Sequence, residues 1–255
     1  MKIIQSILTK NACYTAGQKI TVKGLMLHSV GCSQPSAKVF VKNWNKPSLQ
    51  ACVHAFIDGN TGDVYQCLPW NHRGWHGGGS SNNTHIGVEM CEPSCIKYVG
   101  GATFKCTDLA TARAVAKRTY DSAVELFANL CKQFNLNPLA DGVIISHAEG
   151  YKRGVASGHA DPEHLWNQLG MGYTMDTFRQ AVKKQMEGEH DMTKEDVIKI
   201  IQEYEAEKAK KEVSDWAEPS WIKAKRLGVM DGSSPRSHAT REQIATILDR
   251  LGLIK

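Results

Sequence analysis

Three short stretches of this chain carry metal-binding side chains at or near their ends: Leu25-Met26-Leu27-His28, Val143-Ile144-Ile145-Ser146-His147 and Ser157-Gly158-His159-Ala160-Asp161-Pro162. The first two are apolar runs that deliver a histidine at the far end, as a buried strand does where it emerges at the edge of a sheet. Two neutral imidazoles and one carboxylate leave a fourth zinc position for water, the pattern of a hydrolytic site and not of a closed structural one. Ile86-Gly87-Val88-Glu89 lies between these stretches and adds a second carboxylate. Taken singly, His28 and His147 read better as buried, hydrogen-bonded histidines, and Asp161 before Pro162 as the start of a turn or a helix cap. The combination carries the signal.

The elements that would position these residues follow from periodicity. Residues 20–28 read as a strand feeding His28, and 53–58 with 64–68 as a hairpin closed by Asp58-Gly59-Asn60-Thr61-Gly62. In Thr84–Met90, Ile86, Val88 and Met90 alternate with Gly87 and Glu89, so the apolar three share one face. Glu89 lies on the other, beside a glycine that leaves room for substrate. From Thr107 to about Phe134 the spacing turns helical, with Thr107 or Asp108 as cap and Asn135 to Pro138 as the stop. A strand over 143–147, a glycine-rich loop and a helix near 174–186 complete this part. The expected fold class is α/β, a mixed central sheet flanked by helices, with ligands gathered at strand ends.

The order His28, Trp75-His76-Gly77-Gly78, Ile86-Gly87-Val88-Glu89, His147 and His159-Ala160-Asp161-Pro162 resembles the zinc-dependent N-acetylmuramoyl-L-alanine amidases. That family includes many phage endolysins and is related to the peptidoglycan recognition proteins. The likeness spans roughly residues 20 to 182. It implies a Zn2+ ion held by His28, His147 and Asp161, with Glu89 as the catalytic carboxylate and Glu92 as a nearby rival. His159 stands where the family often has Lys, and its implied role is to help at the developing oxyanion. Trp75 and Asn83 offer a sugar-stacking face and an amide for a peptide stem, while His54 and His76 line the substrate groove or pack. His164 and His190 read as ordinary surface residues.

The implied substrate is bacterial peptidoglycan, cut between N-acetylmuramic acid and L-alanine. The competing readings are a non-catalytic peptidoglycan binder, which would lack a ligand, and a host autolysin or recycling amidase. Nucleic-acid binding rests on the net charge of +5 alone, with no accompanying motif.

Charge is uneven along the chain. Residues 1–185 hold 19 Lys and Arg against 12 Asp and Glu, and 186–212 hold 5 against 9. The expected organisation is a catalytic domain (1–185), a charged amphipathic linker helix (186–212) and a small helical module (213–255). Thr193-Lys194-Glu195-Asp196 reads as the linker helix start. Its stripe of Val197, Ile200, Ile201 and Tyr204 calls for a partner, either the catalytic domain or a second copy.

The last 40 or so residues resemble an S-layer-homology module through Trp216-Ala217, Leu227-Gly228-Val229 and Thr240-Arg241-Glu242. That likeness implies an anionic wall polymer as a further partner. No run is long enough for membrane insertion, and the N-terminus lacks a secretory signal. The expectation is therefore synthesis in the cytoplasm and action on the wall after release. All eight cysteines lie between 13 and 131 and are expected as free thiols. The alternatives for Cys91, Cys95 and Cys106 are a second metal site or one disulfide.

Overall fold

The structure, a computed structural model, describes residues 1–188 and 194–254. The chain divides into two compact units, Met1–Gly188 and Glu189–Lys255. Thr193 and His190 lie outside the described residues.

In the first unit the early elements are β1 (Ile3–Gln5), α1 (Ala12–Thr15), β2 (Gly24–Ser29), α2 (Ala37–Trp44), β3 (Ala55–Ile57) and β4 (Val64–Gln66). After a 3-10 turn at Ser80–Asn83 come β5 (His85–Met90), β6 (Ile96–Gly100), β7 (Thr103–Cys106) and α3 (Leu109–Phe134). The unit closes with β8 (Ile144–Ser146), α4 (His147–Lys152), α5 (Glu163–Gln168) and α6 (Met175–Glu187). The fold is mixed α/β, as expected. Six strands form one sheet in the order β1-β4-β3-β5-β2-β8, and β6 pairs with β7 in a separate hairpin. Within the large sheet only the β3–β4 pair is antiparallel. Its turn is held by the Asp58 carboxylate, which accepts from the amides of Asn60 and Thr61.

Alternation along the strands sorts the two faces. Leu25 and Leu27 of β2, with Ile86, Val88 and Met90 of β5, join a core that α3 and α6 cover through Ala123, Leu126, Phe127, Phe178 and Val182. The Asp108 side chain caps α3 by accepting from the Thr111 amide, and Asn135 ends it in the left-handed region at φ 52°. On the opposite face Phe56, Tyr65 and Leu68 pack with Phe40 and Trp44 of α2. That helix covers only part of the face. Beyond it, a cleft lies at the C-terminal ends of β2 and β5, lined in part by Ser29 and Glu89.

Several expected boundaries shift. β2 runs from Gly24 to Ser29, not from residue 20, and the hairpin strands shorten to Ala55–Ile57 and Val64–Gln66. β8 stops at Ser146, which caps α4 in a capping box with Glu149, so His147 is the first helical residue.

The second unit comprises α7 (Lys194–Ala209), α8 (Glu218–Arg226) and α9 (Arg241–Arg250). Thr240 caps α9 with Gln243 in the reciprocal position. None of its described residues is buried, and Val197, Ile200, Ile201 and Tyr204 are exposed. No helix among the described residues is long and apolar enough to cross a membrane.

Phe178 on α6 meets Phe127 and Tyr120 of α3 edge-on, with ring centroids 5.2 and 5.5 Å away. Phe178→Ala should lower the unfolding free energy by about 3–5 kcal/mol in urea denaturation. A loss below about 1 kcal/mol would show that this aromatic contact does not hold α6 in place.

Candidate active site

The parallel register sets His28 of β2 beside Glu89 of β5, and Leu27 beside Ser146 of β8. His28, on β2, and His147, the first residue of α4 directly after β8, therefore arrive side by side. Asp161 comes from the loop before α5, where its carbonyl accepts from the Ala148 amide and its carboxylate lies 3.4 Å from the Ser29 amide. The three are buried, at 1%, 4% and 7% exposure. Their ligand-type atoms converge. His28 Nδ1 is 3.0 Å from His147 Nδ1 and 3.3 Å from Asp161 Oδ2, and His147 Nδ1 is 3.7 Å from Asp161 Oδ1.

Zinc ligands at 2.0–2.2 Å on a tetrahedron stand about 3.3–3.6 Å from one another, so these separations suit such an ion. Among the described residues this is the one group of histidine, cysteine or carboxylate side chains with metal-ligand spacing. All eight cysteines are free thiols.

A cleft of about 950 Å³ opens above this cluster, lined among others by Trp75, Glu89, Tyr98, His147, His159 and Asp161. Burial pushes the Glu89 carboxyl well above its ordinary range, and the nearby Asp161 and Glu92 carboxylates push it further. Its Oε2 has no hydrogen-bond partner. Burial alone would raise Asp161 too, but its contacts with His147 and His28 outweigh this and hold it well below the usual carboxylate range. Burial lowers His28 despite the opposing pull of Asp161. His159 stands at the open rim, its side chain 58% exposed, with its ring stacked on His147 at 4.4 Å and its Nδ1 3.8 Å from Asp161 Oδ1.

Other expected site residues fare differently. Trp75 lines the cleft. His54 does not, because it is fully buried, with Nδ1 accepting from the Gly87 amide and Nε2 donating to the His72 carbonyl. His76 reaches the cleft wall, yet both ring nitrogens face protein atoms, Nδ1 at 3.0 Å from His28 Nε2 and Nε2 at 3.1 Å from the His85 carbonyl. Neither nitrogen is left for a substrate. Asn83 is exposed outside the cleft, its carbonyl oxygen taken by Arg73 Nε at 2.6 Å. The room expected at Gly87 is filled by protein, since a Cβ there would lie 2.4 Å from the His76 ring.

His164, read from sequence as a surface residue, has a side chain only 8% exposed. Its Nε2 lies 2.6 Å from the Tyr98 hydroxyl, which donates to Glu92 Oε2 at 2.8 Å. Glu92 Oε1 accepts from the Gly31 amide. This cluster ties the β6–β7 hairpin to the cleft wall. Sequence reasoning missed it because its members come from a loop, a short hairpin and a short helix, none with a periodic signal.

The sequence profile of the N-acetylmuramoyl-L-alanine amidase family Amidase_2 matches residues 18–164, and the chain belongs to that family. The N-acetylmuramoyl-L-alanine amidase XlyA of Bacillus subtilis (strain 168) is 31% identical over 100 residues, which cover 36% of this chain and 32% of that protein. The chain thus spans about a third of the length of this curated relative. Among solved structures, the Staphylococcus aureus hydrolase AmiA in complex with its ligand matches 73% of this chain and 83% of its own, with a TM-score of 0.54 and 18% identity. The PlyG catalytic domain matches 72% and 94%, with a TM-score of 0.50 and 17% identity. Likeness at these identities concerns the fold.

Burial raises the Glu92 carboxyl to about 7, against hydrogen bonds that favour its charged form. The folded state then keeps a proton that the unfolded chain releases near 4.5, so Glu92 costs stability as pH rises from 4.5 to about 7. In chelator-treated protein, the melting temperature of wild type relative to Glu92→Gln should fall across that interval. A flat difference would show that Glu92 titrates normally.

Proposed function

We propose that this chain is a zinc-dependent peptidoglycan hydrolase that cleaves the amide between N-acetylmuramic acid and L-alanine of the stem peptide, as a phage or prophage endolysin does. The observation that carries this reading is the convergence of His28, His147 and Asp161 beneath a cleft that Glu89 also lines. A non-catalytic binder would have no use for a complete ligand set beside a free carboxylate.

Zinc in this set would polarise the scissile carbonyl and acidify water, whose pKa falls from about 16 towards about 7. Glu89 takes the proton from the attacking water and hands it to the departing alanine nitrogen. Its place on the cleft wall, on the strand beside His28, suits both halves of that transfer. His159, at the rim and stacked on His147, donates to the carbonyl oxygen as negative charge develops. Trp75 gives the cleft a flat apolar wall against which a sugar or peptide can lie.

The second unit, with its exposed apolar side chains and its likeness to an S-layer-homology module, would hold the enzyme to an anionic wall polymer.

Purified peptidoglycan digested with wild type should release intact stem peptides that begin at L-alanine, as read by mass spectrometry. Glu89→Gln should slow this release by ~10²–10⁴ and His159→Ala by ~10²–10³. Chelation should abolish release, and added zinc should restore it. Products cut at any other bond, or full activity in Glu89→Gln, would overturn the assignment.

A further inference from the structure

A histidine can hold a metal only through a nitrogen with a bare lone pair, and neutral imidazole has one such nitrogen and one N–H. Which is which depends on the partner of the nitrogen that faces away from the metal. At this site both inward nitrogens are Nδ1. The outward ones are His28 Nε2, 3.0 Å from His76 Nδ1, and His147 Nε2, 3.2 Å from Ser157 Oγ. Neither contact alone fixes a proton, since an imidazole nitrogen and a hydroxyl can each donate or accept. The next bond in each chain does.

His76 Nε2 is 3.1 Å from the His85 carbonyl oxygen, which only accepts. That nitrogen therefore carries the ring proton, and His76 Nδ1 is left as an acceptor. His28 must then donate from Nε2, which leaves its Nδ1 bare towards His147 and Asp161. The second chain turns on a rotatable hydroxyl. The Ser157 oxygen lies 3.3 Å from the Gly77 carbonyl, which only accepts; with its proton turned there, the oxygen accepts from His147 Nε2 and leaves that Nδ1 bare.

Both chains run through adjacent residues of one loop, His76 by its ring and Gly77 by its carbonyl. The loop is pinned where it must be, with the Asn82 side-chain oxygen accepting from the His76 and Gly77 amides at 3.1 and 2.8 Å. Glycines make the approach close enough. A Cβ on Gly87 would meet the His76 ring at 2.4 Å, and one on Gly78, at φ +66°, would meet Ser157 Oγ at 2.6 Å.

We propose that His76 and Ser157 are positioning residues which, through the Trp75–Gly79 loop, lock His28 and His147 as Nε2–H tautomers and so present two bare Nδ1 atoms beside Asp161. This rests on the reading that His28, His147 and Asp161 hold the metal. It gives His76 a task other than the substrate contact expected from sequence.

Two readouts test it in the full-length protein. In zinc-loaded wild type at about pH 8, where an ordinary imidazole is neutral, long-range proton–nitrogen NMR should show both histidines protonated at Nε2. A Nδ1–H form of either overturns the proposal. Zinc affinity from chelator competition should weaken about 10–100-fold in His76→Leu and in Ser157→Ala. His76→Asn, whose carbonyl oxygen replaces the lost acceptor, and Ser157→Thr, which keeps the hydroxyl, should stay close to wild type.

Wild-type affinity in His76→Leu overturns the proposal, as does a loss in His76→Asn as large as in His76→Leu. Ser157→Ala removes one oxygen from a half-buried side chain, so it decides the matter for His147 even if His76 variants fail to fold. Should wild type bind no zinc, the metal reading falls; zinc bound equally well by wild type, His76→Leu and Ser157→Ala overturns this inference alone.

Discussion

The arrangement depends on one register, the parallel pairing of β2 with β5 on one side and β8 on the other. A strand's side chains alternate with period two, so a slip of one residue would turn His28 into the α3 core and send Leu27 into the cleft. Both faces of β2 are buried, and the residues on its core face leave no choice of register. The apolar packing of Leu25, Leu27, Ile86 and Val88 against α3 thus acts at a distance on polar atoms of the opposite face. Stability and site geometry are the same constraint seen from two sides of one sheet.

On the polar side the chain gathers groups that resist being together. Burial raises the proton affinity of Glu89 and Glu92, Asp161 raises both further, and Glu92 adds to the effect on Glu89. Asp161 escapes it because two imidazoles face its carboxylate. Glu89 lacks such compensation at Oε2 and remains the unsatisfied member. A buried oxygen without a partner costs on the order of 1–3 kcal/mol. Its persistence at the floor of an open cleft marks the point where the fold favours chemistry over stability.

Much of this was legible in the sequence, and the part that was not has a physical reason. β5 and the long α3 declare themselves by clean periodicity and by the Asp108 cap. The separation of His28 and His147 from other histidines rested on the apolar runs before them. His54 also follows an apolar residue, Val53, and nothing local shows that its ring is spent on the Gly87 amide and the His72 carbonyl. Gly87 looked like space for a ligand because a missing side chain does not say what fills the gap. The Glu92–Tyr98–His164 cluster joins residues up to 72 positions apart through elements too short to carry a pattern.

The lengths of the outermost strands have a consequence beyond the site. β1 and β8, at the two margins of the large sheet, are three residues each. A margin that short exposes too few unpaired amides to recruit a strand from a neighbouring molecule. Crowding at a surface would therefore not drive these sheets to fuse margin to margin. The long β2 and β5 occupy interior places, where their buried apolar side chains are out of reach of other chains.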